Sequence, residues 1–277
     1  MTAPAGRALR RFLAHRGALV GVAFLVALVS ASALGAVLAL DPERIDLASA
    51  NAPPSPQHWL GTDENGRDVL SRTLAGARVS CAVALASMAI AVAVGTLLGG
   101  VGGYFGGWPD RLVAQAVDGL QAVPLFFLWL LALTSLGSTV ENVVLVIAAT
   151  SWMVVARVVR SEVLRVREMD YVQAARALGV PDRRILLRHV LPQVVPSIVV
   201  GASLSTAFAL LSEAALSYLG VGIQPPRPSW GNMLTAAQQL VWDAPWVAIF
   251  PGVGILLTVL AFNAIADALR DASDPQG

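Results

Sequence analysis

Hydrophobic positions in this chain fall in long unbroken runs, separated by short stretches rich in arginine or in glycine and proline. The runs do not alternate with period two, so they predict helices and not the strands of a barrel. About six of them reach the roughly 20 apolar residues that a helix needs to cross a bilayer: Gly17–Leu40, Val79–Gly103, Leu112–Leu136, Val140–Ala156, Val194–Leu219 and Pro245–Ala266. The expected fold is all-α and polytopic. Residues 1–16 form an N-terminal tail, 17–40 the first transmembrane helix, 41–78 a loop with an interfacial helix, 79–266 a five-helix core containing a loop at 157–192, and 267–277 a C-terminal tail.

Local signals refine this outline. The first run follows Arg7, Arg10, Arg11 and Arg16, and Val37-Leu38-Ala39 has the small-residue spacing of a signal-peptide cleavage site. Its apolar stretch of about 24 residues exceeds a signal core, so it is read as an uncleaved anchor. The first loop carries Pro53, Pro54 and Pro56, then Gly61-Thr62-Asp63-Glu64-Asn65-Gly66-Arg67-Asp68. Thr62 or Asp63 is expected to cap a short helix with Val69, Leu70, Thr73 and Leu74 on one face, lying at the interface. Asp63-x-Asn65 lacks the later ligands of an EF-hand loop. Gly95, Gly99 and Gly103, at four-residue spacing, permit close helix packing in lipid, within the chain rather than as a dimer seam. Pro124 is expected to kink the third run; a kinked helix either lines a pathway or serves packing.

Composition sharpens the class. Of 277 residues, 56% are apolar and 13% charged, with a mean hydropathy of +0.68, against about 25% charged in soluble domains. There are 19 Arg and no Lys, which excludes a P-loop and Schiff-base chemistry. The single Cys81 allows no intrachain disulfide. With the N-terminus inside, 14 of the 19 Arg fall in cytoplasmic segments, so the positive-inside rule places both termini in the cytoplasm. Asp118, Glu213 and Asp267 lie within or at the ends of spans, where charge is expensive and marks function. Glu213 is the candidate to face a pathway, Asp118 is expected to reach Arg111 or water, and Asp267 ends the last span near Arg270. An aspartyl dyad of Asp118 and Asp267 lacks its glycine-acid context. A Ser–His pair or a metal cluster lacks an intramembrane His, because His15, His58 and His189 all lie in connectors. No catalytic residue, bound cofactor, metal ligand or nucleic-acid surface is expected.

The connector Arg157–Pro192 is the most informative segment, since a simple channel or carrier would not need it. It reads as two short helices. The first spans Glu168–Leu178, with Tyr171, Ala174, Ala175 and Leu178 sharing a face and Gly179 as the C′ residue. The second opens at Pro181 and Asp182, lines one side with Ile185, Leu186 and His189, and ends at Pro192. On composition, either docking into a groove on a partner or lying on the bilayer through its six arginines, Arg165 to Arg188, accounts for it.

Gln173-Ala174-Ala175, Gly179 and Leu191-Pro192 resemble the EAA loop of permease subunits in binding-protein-dependent ABC importers. The flanking Asp170-Tyr171-Val172 and Arg188-His189-Val190 resemble the dipeptide/oligopeptide branch, as do Gly61-Thr62-Asp63 to Arg72, Leu216-Ser217-Tyr218 to Pro226 with Trp230-Gly231, and Asp267 to Asp271 with Asp274-Pro275. The likeness covers nearly the whole chain and is nearest to the second permease subunit. It implies a type I importer fold and a heterodimer with a second permease. It further implies two ATP-binding cassette ATPases carrying ATP and Mg, and an extracytoplasmic substrate-binding protein. Tyr171, Gln173, Ala174, Ala175, Leu178, Gly179, Pro181, Leu191 and Pro192 would couple to the ATPase, with Pro124 and Glu213 as pathway candidates. The cargo implied is di- or oligopeptide, or nickel or another small solute in related systems. Gln173 stands where Glu is usual, and His189 where Ile is common.

Overall fold

The computed structural model describes residues 10–38 and 40–273, apart from the side chains of Ala236 and Ser273. The tail residues 1–9 with Arg7, Ala39 of the cleavage-like triplet, and Asp274-Pro275 lie outside the described residues. Helix α1 is Arg16–Val37, capped by His15, whose Nδ1 accepts from Ala18 N at 3.2 Å. Helix α2 is Val69–Phe105, α3 Gly107–Gln121, α4 Leu125–Leu136, α5 Val140–Arg167 and α6 Asp170–Ala177. Helix α7 is Asp182–Tyr218, α8 Trp230–Leu240 and α9 Trp246–Ser273. Five of these are long and apolar enough to cross a membrane unaided.

The sixth crossing is broken. The bend expected at Pro124 is present and is sharper than a kink: the helix breaks at 122–124, Pro124 caps α4, and α3 and α4 meet at 85°. The side-chain pairs of α3 show its direction. Its Asp110 pairs with Arg160 (Nη2–Oδ2 2.7 Å), whereas Gln121 and Asp118 reach Arg157 (2.7 and 3.6 Å). From Asp110 to Gln121, α3 therefore advances only from Arg160 to Arg157 of α5, and so lies crosswise. Of the two expectations for Asp118, Arg111 is not its partner, since it pairs with Arg157 at 3.6 Å, but its side chain is largely exposed, as the solvent alternative had it. Helix α4 of 12 residues, about 18 Å long at 1.5 Å per residue, then runs toward the far end, where the Ser138 hydroxyl donates to Val221 O at 2.9 Å. The pair starts at one end of the bundle and finishes at the other, so it is a crossing and not a re-entrant loop.

Three expected boundaries move. The first loop contains no separate interfacial helix. Asp68, not Thr62 or Asp63, caps a 37-residue α2 by accepting from Ser71 N at 2.8 Å. Asp63 is unavailable as a cap because its carboxylate accepts from Asn65 N, Arg67 N and Arg67 Nε at 2.9, 3.0 and 2.7 Å and pairs with Arg72 at 3.4 Å. The fourth span continues past Ala156 to Arg167 because Arg160 and Arg167 find partners on α2 and α3. Pro192 does not stop its helix, since a π-turn at Leu186–Val190, with Leu191 N bonding Leu186 O, widens the turn ahead of the ring and lets α7 run on. Such a π-turn is one way to relieve a proline clash with the preceding turn.

Helices α2 and α5 form the spine. A Cβ on Gly95 would come within 2.6 Å of Val155 Cβ, one on Gly103 within 2.9 Å of Arg160 O, and one on Gly99 would overlap Ala156 O. The glycine row is thus an intramolecular seam. Gly100, beside it, faces only Leu191 Cδ2 at 3.6 Å. We predict that Gly99→Val destabilises the protein by about 3 kcal/mol through overpacking. Gly100→Ala should leave it unchanged or slightly firmer, as an alanine gains in a helix. Thermal unfolding in detergent distinguishes the two, and equal midpoints for Gly99→Val and the parent chain would contradict the seam.

Candidate functional site

Two ends of the bundle carry polar structure. The loop end, bearing residues 41–68, is closed by buried side chains. Trp230, 0% exposed, donates from Nε1 to Thr73 O and from its backbone N to Ser80 Oγ (3.0 and 3.2 Å). Ser229 and Asn232 form a capping box that starts α8, and Asn232 Nδ2 also donates to Ile223 O and Arg227 O at 3.1 and 2.8 Å. Glu213, 0% exposed, sits beneath this cap and accepts from the Ser217 hydroxyl at 2.7 Å, while Ser217 Oγ accepts from Ile223 N at 2.9 Å. The pathway expectation for Glu213 is corrected accordingly: it is interior to the subunit and ties the 219–229 loop to α7. Pro124 is exposed at the α3–α4 corner. One of the loop-end cavities, of about 250 Å³, is lined by Asp63, Glu64, Arg67, Arg72, Gln224 and Asn232 among others. Asp63 there is taken up by two backbone N–H groups and two guanidinium groups, which opposes a calcium role.

At the arginine end, the segment between α5 and α7 projects from the bundle. Helix α6 begins after Met169, whose extended backbone breaks the path from α5. It ends in a Schellman motif: Gly179 adopts φ +78°, Gly179 N bonds Arg176 O at 3.0 Å and Val180 N bonds Ala175 O at 3.2 Å. A left-handed residue is required at this place, and glycine takes it without steric cost. The chain then turns through Pro181 into Asp182, whose charge opens α7.

The faces of this segment are divided by burial. Val172, Ile185, Leu186 and Val190 are buried with Tyr104, Val163 and Val166 in one apolar cluster. On the outside, Leu178 is 84% exposed, and Tyr171, Ala174, Gly179 and Pro181 are exposed beside it. Of the residues singled out from sequence, these five share the projecting tip. Ala175 instead packs inward against the cluster. Leu191 and Pro192 lie beyond the π-turn, with Leu191 against Gly100 of α2, so they support α7 and are not part of the tip. Gln173 braces the hinge, its Nε2 donating to Arg167 O at 3.1 Å and to Glu168 Oε2 at 3.4 Å.

Residues that the sequence reading did not single out fasten the segment to α2. Tyr104, 3% exposed, donates its hydroxyl to Asp182 Oδ1 at 2.6 Å. Arg176 Nη2 donates to the Tyr104 oxygen at 3.3 Å and the guanidinium lies over the ring at 5.6 Å from its centroid. That bond to Tyr104, together with the charge of Asp182, holds the Arg176 guanidinium further toward its charged form. Arg167 Nη1 donates to the end carbonyls of α2, Gly103 O and Tyr104 O, at 3.2 and 3.1 Å. Nothing local in the sequence announces these pairs, because the partners are 63 to 78 residues apart.

Residues 91–276 match the family described as binding-protein-dependent transport system inner membrane component, and residues 4–54 match the N-terminal transmembrane domain of oligopeptide transport permease C. A putative peptide permease protein of Brucella suis is 42% identical over 279 residues, covering 99% of this chain and 92% of that protein. A glutathione transport system permease protein of Escherichia coli is 42% identical over 269 residues, covering 96% and 89%. Among solved structures, the inward facing MetNI methionine ABC transporter shares the fold at a TM-score of 0.58 and 18% identity, over 71% of this chain and 94% of that one.

Replacing Gln173 by Glu exchanges a donor for a carboxylate facing a carbonyl and Glu168. We predict a loosening of α6 by about 1 kcal/mol, read as roughly fivefold faster amide exchange over residues 168–178. Unchanged protection would show that the Gln173 amide does not brace the hinge.

Proposed function

We propose, from the premise that this chain belongs to the family of inner-membrane components of binding-protein-dependent transport systems, that it is a permease subunit of an ATP-driven importer whose cargo is peptide. The cargo class is supported by relatives named for peptides and for glutathione, molecules that share amide backbones and charged termini. The arginine end is assigned to the cytoplasm on the charge bias of membrane proteins, and with it both termini. The observation that carries the reading is the projecting segment 169–181. Its inner face is fastened by Tyr104, Val172 and Ile185, while an apolar tip headed by Leu178 has no cover among the described residues.

An exposed leucine with two small residues beside it on a single short helix suits insertion into a groove on another protein. The partner is an ATPase subunit holding ATP and Mg, one beneath this chain and one beneath a second, homologous permease that completes the pathway. A binding protein delivers cargo to the loop end. This chain itself catalyses nothing; it converts closure of the ATPases into a tilt of its long helices and so into alternating access.

Leu178→Glu should abolish recovery of the ATPase with the purified chain and reduce uptake by more than tenfold, with membrane abundance unchanged. Pull-down from detergent extract, beside uptake of labelled tripeptide and glutathione, checks this. Full ATPase recovery with normal uptake would overturn the assignment of the tip. Orientation has its own check: in a Cys81→Ala background expressed without the ATPase, Leu178→Cys should react with an impermeant maleimide in inverted vesicles and be protected in intact cells. Labelling in intact cells would place the arginine end outside.

A further inference from the structure

The projecting segment has two ways to pass a displacement into the membrane. One is through the backbone, along α5 and α7. The other is through side chains into α2, which does not adjoin the segment in sequence. Helix α2 has 37 residues, about 55 Å at 1.5 Å per residue, enough to run the full depth of the bilayer. At the far end it carries the contacts that close the loop end: Thr73 O accepts from Trp230 Nε1, Ser80 Oγ accepts from Trp230 N, and Arg72 Nη1 donates to Pro42 O at 3.1 Å. At the near end it carries Tyr104.

We propose that the Tyr104 hydroxyl, bonded to Asp182 and Arg176, is the fastening through which movement of the projecting segment is transmitted to α2 and from there to the closure of the loop end. The proposal rests on the coupling role assigned to that segment. Three features single Tyr104 out. Its hydroxyl is bonded to the first residue of α7 and to the last turn of α6 at once, at 2.6 and 3.3 Å. Its ring is buried in the same cluster as Val172 and Ile185, so the fastening is backed by packing. Arg167 grips the carbonyls of Gly103 and Tyr104, so the end of α2 is held to α5 as well. A group joined to three helices at one point moves with all of them, and packed, hydrogen-bonded contacts of this kind are what couple distant sites. Tyr104 is a positioning residue: it touches neither cargo nor nucleotide.

The test uses the whole complex in proteoliposomes, with the binding protein added from the loop-end side carrying whatever ligand it retains on purification. Tyr104→Phe keeps the ring and its packing and removes only the hydroxyl. The expected result is ATPase recovery equal to the parent complex and hydrolysis without binding protein within about twofold, with the stimulation by binding protein reduced at least fivefold. Asp182→Ala should behave likewise, Asp182→Asn, which still accepts from the hydroxyl, should retain most of the stimulation, and the double variant Tyr104→Phe/Asp182→Ala should be no worse than either single one. Stimulation undiminished in Tyr104→Phe overturns the proposal, as does an additive double variant or a fall in stimulation matched by loss of folded protein. An ATPase missing already from the parent complex, or one that the binding protein does not stimulate there, sinks the functional reading itself and the fastening with it.

Discussion

The close approach of α2 and α5 is the constraint on which the rest of the bundle depends. Gly95, Gly99 and Gly103 present no side chain toward α5, and the backbone of Ala156 and Arg160 occupies the space where side chains would stand. In lipid there is no hydrophobic drive to bring two apolar helices together, so van der Waals contact along such a seam supplies the association. Once the seam is set, the register of both helices follows. Arg167 then lies opposite the last carbonyls of α2, and Tyr104 opposite the start of α7.

That register explains why the arginine end combines a rigid root with an uncovered tip. The arginines nearest the seam are used within the chain: Arg160 on Asp110, Arg167 on α2 carbonyls, Arg176 on Tyr104. Buried valine and isoleucine side chains fill the space beneath. The apolar tip of Leu178 is left over from this packing, and a residue so exposed beyond the membrane-crossing helices gains only if something covers it. At the other end Trp230 plays the converse part, fully covered and bonded to α2. The two ends of one long helix are thus attached to the projecting segment and to the Trp230 cap at the loop end.

Much of this was legible in the sequence because it is dictated by solvent. Continuous apolar runs can only be spanning helices. The Gly179 C′ position followed from local backbone geometry alone, and the glycine row from helix periodicity. What escaped was set by tertiary partners. Asp63 looked like a helix cap until Arg67 and Arg72 claimed its oxygens, which left the cap to Asp68. Residues 157–167 read as connector because four arginines interrupt the apolar run there, whereas Asp110 and the end of α2 take up Arg160 and Arg167 and α5 runs on. Pro192 looked like a helix stop because a π-turn cannot be foreseen from composition. Glu213 looked like a pathway acid, yet its partner is a serine one turn along the same helix. Helix α8 was missed although Ser229 and Asn232 bear its capping signature, since its apolar content was too short to stand out.

The central claim is that the tip of the 169–181 segment seats in a nucleotide-hydrolysing neighbour. It is tested most directly by placing a photoreactive phenylalanine analogue at Leu178 and irradiating membranes that contain the assembled complex. The account predicts one dominant adduct, of this chain with the ATPase, identified by mass spectrometry of the joined peptides. An adduct with the binding protein, or with lipid alone in a complex that still hydrolyses ATP, would contradict it.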